Sequence, residues 1–272
     1  YTTTQDLTLR PLALESVRLA HEPDGRSVLR LRFARGAMST WNEMDLSRLP
    51  LYLNADASLA SALHQALTLN AQALYVRLPD QSGRTLLDGY FSPKGFADDD
   101  RLWPKGDSAF SGYQLLLEYF TFREKFMFVT LCGLELVLIK PGDLWFELEV
   151  VLREPWPQAF NLSTGHIRLH AVPVINAFTL ESDPLALQPL QTDYLLRPMR
   201  LQDGHTEIYS VDQVTTPSNG DRQHYIPFSS FRHKGGMLRD EMPERYFHTR
   251  LKRGTNGLHD TWLILGGDGF EK

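Results

Sequence analysis

The stretch from Gly106 to Leu131, GDSAFSGYQLLLEYFTFREKFMFVTL, constrains the fold more than any other, because a helix signal and a strand signal stand back to back in it. Ser111 followed three residues later by Gln114 is the capping-box pattern. In it the serine hydroxyl accepts the Gln114 backbone N–H, and the Gln114 side chain returns to the Ser111 N–H. From Tyr113, the residues Leu116, Leu117 and Phe120 follow at i+3, i+4 and i+7 and make one apolar helical face. Arg123-Glu124-Lys125 turns the chain. Phe126 to Val129 then place apolar residues on both sides of a strand, which predicts cover on both faces.

The rest of the chain reads mostly as short strands. Leu7 to Leu19 and Val28 to Phe33 flank the turn Glu22-Pro23-Asp24-Gly25 and predict a hairpin. Leu51 to Leu53 is a short strand. Residues 56–70 predict a helix, with Leu59, Leu63, Ala66 and Leu67 on one stripe. Leu74 to Leu78 and Thr85 to Phe91 predict a second hairpin. Asp143 to Leu152 is the cleanest strand, with Leu144, Phe146, Leu148, Val150 and Leu152 on one face and Trp145, Glu147, Glu149 and Val151 on the other. His166 to Ala171 is a further strand. The implied fold class is mainly β (a β-rich α+β chain). A β-sandwich-like domain over 1–172 has helices near 56–70 and 111–120 packed at its edges. An extended Pro-containing connector over 173–200 leads to a second, smaller β region over 201–272. Strands are expected there at Ile208 to Val211, Tyr246 to Leu251 and Thr261 to Leu265.

Composition excludes several classes. Hydrophobic residues make up 42%, enough for a core, and the formal net charge of −5 speaks against a general nucleic-acid binder. No apolar run approaches the ~20 residues of a membrane-spanning helix. The lone Cys132 sits among Leu131, Leu134 and Leu136 and reads as a buried, inert thiol.

Several chemical readings can be weighed. Gly106-Asp107-Ser108 with Asp221 and His224 resembles the nucleophile and base of some serine hydrolases. Those enzymes need a strand–helix alternation that this chain lacks, and Asp107, Ser108 and Ser111 fit a helix cap. His166 and His170 lie four apart, but on a strand that separates them by about 13 Å, too far to share a metal. Ala97-Asp98-Asp99-Asp100 lacks the spacing of a calcium loop and reads as a solvated turn. His64 reads as a half-exposed surface histidine. Trp103, Trp145, Trp156 and Trp262 raise a carbohydrate-binding sandwich as an alternative, which requires coplanar, exposed rings on one face. No metal, cofactor or catalytic residue is expected.

Three blocks carry a resemblance. Gly112 to Phe128 spells G-Y-x-L-L-x-E-Y-F-x-F-x-E-K-F-x-F, Val172 to Phe178 reads VPVINAF, and Glu207 to Asp212 reads EIYSVD. Together, in this order, they resemble the baseplate wedge proteins of type VI secretion, the TssF (VasA or ImpG) family. Ser111, Gln114, Tyr113, Phe120 and Phe126 belong to the first block or its cap as structural residues. Members are much longer, so Tyr1 and the ending at Lys272 imply an internal portion. The resemblance implies a non-enzymatic structural subunit in the bacterial cytoplasm, at the cytoplasmic face of the inner membrane when assembled. It implies a second TssF copy and TssG as wedge partners. TssK, TssE and the spike hub follow in the assembled baseplate, with no nucleic acid and no membrane insertion.

One segment suggests an interface. From Arg222 to Arg253 there are eight Lys and Arg against three Asp and Glu, with aromatics interleaved. Arg232, Lys234 and Arg239, with Tyr225 and Phe231, are the candidate contacts, since Arg and Tyr are enriched at interface hot spots.

Overall fold

A computed structural model gives the architecture, and it describes residues 1–103, 111–188, 190–201, 206–218, 221–228, 245–254 and 257–267. The chain forms two compact units, Tyr1–Asn176 and Ala177–Lys272. The first contains β1 (Thr2–Thr3), β2 (Leu12–His21), β3 (Ser27–Arg35), β4 (Arg48–Leu53), α1 (Ala57–Thr68), β5 (Ala71–Arg77), β6 (Thr85–Leu87), β7 (Tyr90–Lys94), α2 (Ser111–Thr121), β8 (Phe128–Cys132), β9 (Trp145–Leu152), β10 (Ile167–Arg168) and β11 (Val174–Ile175). The second contains β12 (Asp193–Leu195), β13 (Val214–Ser218), β14 (Asp221–Pro227), β15 (Arg245–Arg253) and β16 (His259–Gly267). The protein is mainly β, as the sequence implies.

In the first unit, one sheet runs β2-β3-β9-β5-β6 and another β10-β4-β8-β7, with antiparallel neighbours throughout. Alternation places the inward residues. Leu29, Leu31 and Phe33 of β3 and Phe146, Leu148, Val150 and Leu152 of β9 are all buried, and they share one core with Leu49, Leu51, Leu53, Val129 and Leu131 of the other sheet. Helix α1 closes this core with Leu59, Leu63, Ala66 and Leu67, the stripe read from the sequence. Its cap is Asp56, whose Oδ1 accepts the backbone N–H groups of Ser58 and Leu59 at 3.0 and 3.2 Å. Strand β8 is buried at every position, which matches the expected cover on both faces. It begins at Phe128 rather than Phe126, because Arg123–Phe126 is a turn of 3-10 helix.

The predicted strand Thr85 to Phe91 divides. β6 pairs with β5 in one sheet, and β7 pairs with β8 in the other. The chain crosses at Gly89, where a Cβ would lie 2.5 Å from the Cys132 carbonyl oxygen. Likewise His166 to Ala171 is not one strand. His166 ends a 3-10 turn, β10 has two residues, and His170 is left-handed at φ 55°.

In the second unit the sheet runs β12-β16-β15-β14-β13 over a core of Tyr194, Leu196, Tyr225, Phe247, Leu263 and Leu265. Part of the Pro-containing stretch is therefore a strand. β12 pairs with β16 because Tyr194 and Leu196 anchor it in that core. Ile208 to Val211 does not form the expected strand. Ile208 and Val211 pack on the core from irregular chain, and Tyr209 is exposed.

Candidate functional site

Helix α2 is turned opposite to its sequence pattern. An apolar face at helical spacing normally faces the core. Here Tyr113, Leu116, Leu117, Tyr119 and Phe120 are all exposed, Phe120 at 81%, while Gln114 and Glu118 are buried. The inner face is held by polar contacts. Glu118 Oε1 accepts the Leu102 backbone N–H at 3.1 Å and the Gln114 Nε2 at 3.0 Å, and Gln114 Nε2 also donates to the Trp103 carbonyl at 2.8 Å. Lys125 donates to the other Glu118 oxygen, and neither side chain of this ion pair has any exposure. Three donors, from Leu102, Gln114 and Lys125, thus satisfy a buried carboxylate, the condition under which such a charge is tolerated in a core.

Gln114 Nε2 is thus engaged by Trp103 and Glu118, while the Ser111 side chain, the other half of the expected capping box, lies outside the described residues. Phe126 is buried as a core residue, whereas Tyr113 and Phe120 are on the surface. Aromatic contacts extend the α2 surface sideways. The Tyr119 ring centroid lies 5.5 Å from Phe120 and 5.7 Å from Phe126, and Phe126 lies 5.1 Å from the exposed Phe96.

A second surface lies on the outward face of the β9 sheet. Glu149 has no side-chain exposure and contacts Arg30 at 3.0 Å, Arg77 at 3.1 Å and Arg84 at 2.8 Å. Burial pushes its carboxyl up, but the hydrogen bond from Arg84 and the charges of Arg30, Arg77 and Arg84 outweigh it and hold the group below the usual glutamate range. The Arg32 guanidinium stacks 3.8 Å above Trp145, and that of Arg84 lies 4.0 Å above Tyr75. Trp145 is therefore covered by Arg32. None of the tryptophans is exposed, and Trp156 is buried with its Nε1 donating to the Phe160 carbonyl at 2.9 Å. The coplanar exposed rings that a carbohydrate platform requires do not exist among the described residues.

The other sequence candidates separate. Arg232, Lys234, Arg239 and Phe231 lie outside the described residues, as do Gly106, Asp107 and Ser108. Tyr225 is buried in the second core, with Arg245 lying 5.9 Å from its ring, so it is a core residue rather than a surface contact. His224 is exposed on β14. No group of three His, Cys, Asp or Glu among the described residues is placed to hold a metal ion. Asp100 is buried and accepts the Gly95 N–H at 2.8 Å, which gives the acidic turn a structural role, while Asp98 and Asp99 are exposed. Cys132 is a buried free thiol. His64 is half-buried, and burial lowers its pKa. No described helix is long and apolar enough to cross a membrane. Sequence reasoning missed the Glu118–Lys125 pair and the Glu149 cluster. The only signal for the first was the pair of polar residues at i and i+4, Gln114 and Glu118, inside an apolar helix.

Comparison with known proteins agrees with the three sequence blocks. The family model for the type VI secretion system protein TssF matches residues 1–272. A type VI secretion system component, TssF1 of Pseudomonas aeruginosa PAO1, is 30% identical over 243 residues, covering 88% of this chain and 39% of that protein. A chain in the cryo-electron microscopy structure of a type VI secretion TssK-TssF-TssG baseplate subcomplex superposes with a TM-score of 0.86 at 59% identity, covering 97% of this chain and 49% of that one. The chain thus spans half or less of the length of these relatives. With a family match along its whole length, the chain belongs to the type VI secretion TssF family.

Proposed function

We propose that this chain is a structural, non-enzymatic part of a type VI secretion baseplate wedge, assembling with TssG-type and TssK-type subunits. The observation that carries the reading is the match, at 59% identity over 97% of the chain, to a TssK-TssF-TssG subcomplex. The molecule suits such a role. The buried carboxylates of Glu118 and Glu149 are engaged by structural partners within the first unit. A second copy of the protein, TssE and the spike hub complete the proposed assembly, in the bacterial cytoplasm at the inner face of the membrane. Arg232, Lys234 and Arg239 are proposed to contact a sister subunit, with Phe231 beside them.

Co-expression of the complete protein with its TssG and TssK counterparts, followed by affinity capture and mass measurement, tests the reading. A ternary complex with two copies of this protein is expected. Failure to retain either subunit overturns the assembly role. Ester or peptide hydrolysis that disappears with Ser108→Ala would overturn the non-enzymatic reading.

A further inference from the structure

We infer that the outward face of α2 is a docking surface for an amphipathic α-helix of another baseplate subunit, a helix whose apolar seam is flanked by Lys or Arg. This rests on the proposed assembly role. The surface consists of Leu116, Leu117, Tyr119 and Phe120 of α2, continued by Phe96.

Two features distinguish it from incidental exposure. The first is rotation. The Glu118–Lys125 pair, the Leu102 N–H and the Gln114 contacts fix the polar side of α2 inward, so the apolar side cannot roll into the core without stripping a buried carboxylate of its partners. The second is size. With Leu116 57%, Leu117 53%, Tyr119 47%, Phe120 81% and Phe96 55% exposed, the patch amounts to roughly 500 Å² of side-chain surface at ~150–250 Å² per large side chain. That exceeds scattered exposure and suits the apolar centre of an interface of about 800 Å² per partner.

Shape and charge select the occupant. The patch is a ridge along an 11-residue helix, about 16 Å long, and the shape complementary to such a ridge is another helix laid along it. The turn after Phe96 carries Asp98, Asp99 and Asp100; Asp98 is paired with Arg101, Asp100 is buried, and Asp99 is exposed. A basic residue beside the partner's seam complements Asp99. A second copy of this chain brings the same acidic turn and a chain charge of −5, and like charges across an interface oppose pairing. An anionic membrane surface is disfavoured for the same reason.

The test uses the complete protein with its TssG and TssK counterparts and a photo-crosslinking p-benzoylphenylalanine at Leu117. The expected product joins Leu117 to a helical segment of another subunit with apolar residues at i, i+3 and i+4 and Lys or Arg beside them. Leu116→Gln with Leu117→Gln is expected to weaken the complex at least tenfold with an unchanged Tm, and Asp99→Lys to weaken it several-fold at low salt. A crosslink to a second copy, to the protein's own chain, or to a non-helical segment overturns the inference and leaves the assembly role standing, as does an unaltered affinity of the double variant. If the unmodified protein binds neither subunit, the assembly role falls and the docking surface with it.

Discussion

Glu118 and Lys125 form an ion pair in which neither side chain touches solvent, and this pair decides which way α2 faces. Removing one partner leaves the other charge buried. Glu118→Gln or Lys125→Met is therefore expected to cost about 3–5 kcal/mol, the range for breaking a buried pair. Joint replacement, Glu118→Leu with Lys125→Met, is expected to cost less than either change alone, because no charge is then stranded. Urea denaturation of the three variants checks this; a double variant no more stable than the singles contradicts it.

The Glu149 cluster gives a pH-dependent contribution. Its folded pKa lies below the ordinary glutamate value of about 4.3. The unfolded chain therefore binds the proton more readily. The stabilisation is fully present above that value and is lost as pH falls through the lower, folded pKa. Glu149→Gln is expected to cost about 1.5–3 kcal/mol at pH 7, the scale of hydrogen bonds to a charged group. The gap to the parent should narrow below about pH 4. Denaturant midpoints at pH 7 and pH 3.5 measure both.

The carbonyls of Asp88 and Cys132 press on Gly133 and Gly89 where the chain passes from one sheet to the other. Gly133 sits at φ 98°, and a Cβ there would lie 2.7 Å from the Asp88 carbonyl oxygen. Gly133→Ala combines an unfavourable backbone conformation with that contact and is expected to cost more than about 1–3 kcal/mol. Gly83→Ala, with nothing within 4 Å of its Cβ, is the control and should shift Tm little.

Sequence reading succeeded where the signal is local. Phe146, Leu148, Val150 and Leu152 alternate, and Leu59, Leu63, Ala66 and Leu67 recur at helical spacing, so each element carries its own burial pattern. It failed where the deciding partner is distant. The Glu118 carboxylate finds Leu102 and Lys125 outside its own helix, and no periodicity within 111–120 reveals them. Strand β12 exists because Tyr194 pairs with Leu263 far along the chain, so a Pro-rich context concealed it. Glu149 read as an outward polar residue because the three arginines that bury it come from three other segments. The basic segment around Lys234 was visible only as composition, and Tyr225, drawn in with it, belongs to the core.

The N-terminal segment is tied to the first unit through a histidine, which gives the last prediction. His170 Nε2 accepts the Arg10 backbone N–H at 3.2 Å, and Thr4 bonds the Pro173 carbonyl beside β1 and β11. Arg10 in turn donates its Nε to the Asp45 carbonyl at 2.6 Å. A protonated imidazole cannot accept the Arg10 N–H. Burial, and then the Arg10 charge, lowers the His170 pKa below the ordinary histidine value of about 6.5. The unfolded chain is thus the more readily protonated state. This contribution to stability is full above about pH 6.5 and declines as pH falls toward the folded pKa. His64, lowered by burial, acts in the same direction, so the comparison must be with a variant rather than across pH alone. His170→Leu is expected to be less stable than the parent at pH 7.5, with the difference shrinking at pH 5. In the parent, the Arg10 amide is expected to exchange with solvent faster at pH 5 than its intrinsic pH dependence requires. Equal protection of that amide at both pH values, after this correction, would show that the tie does not depend on the imidazole.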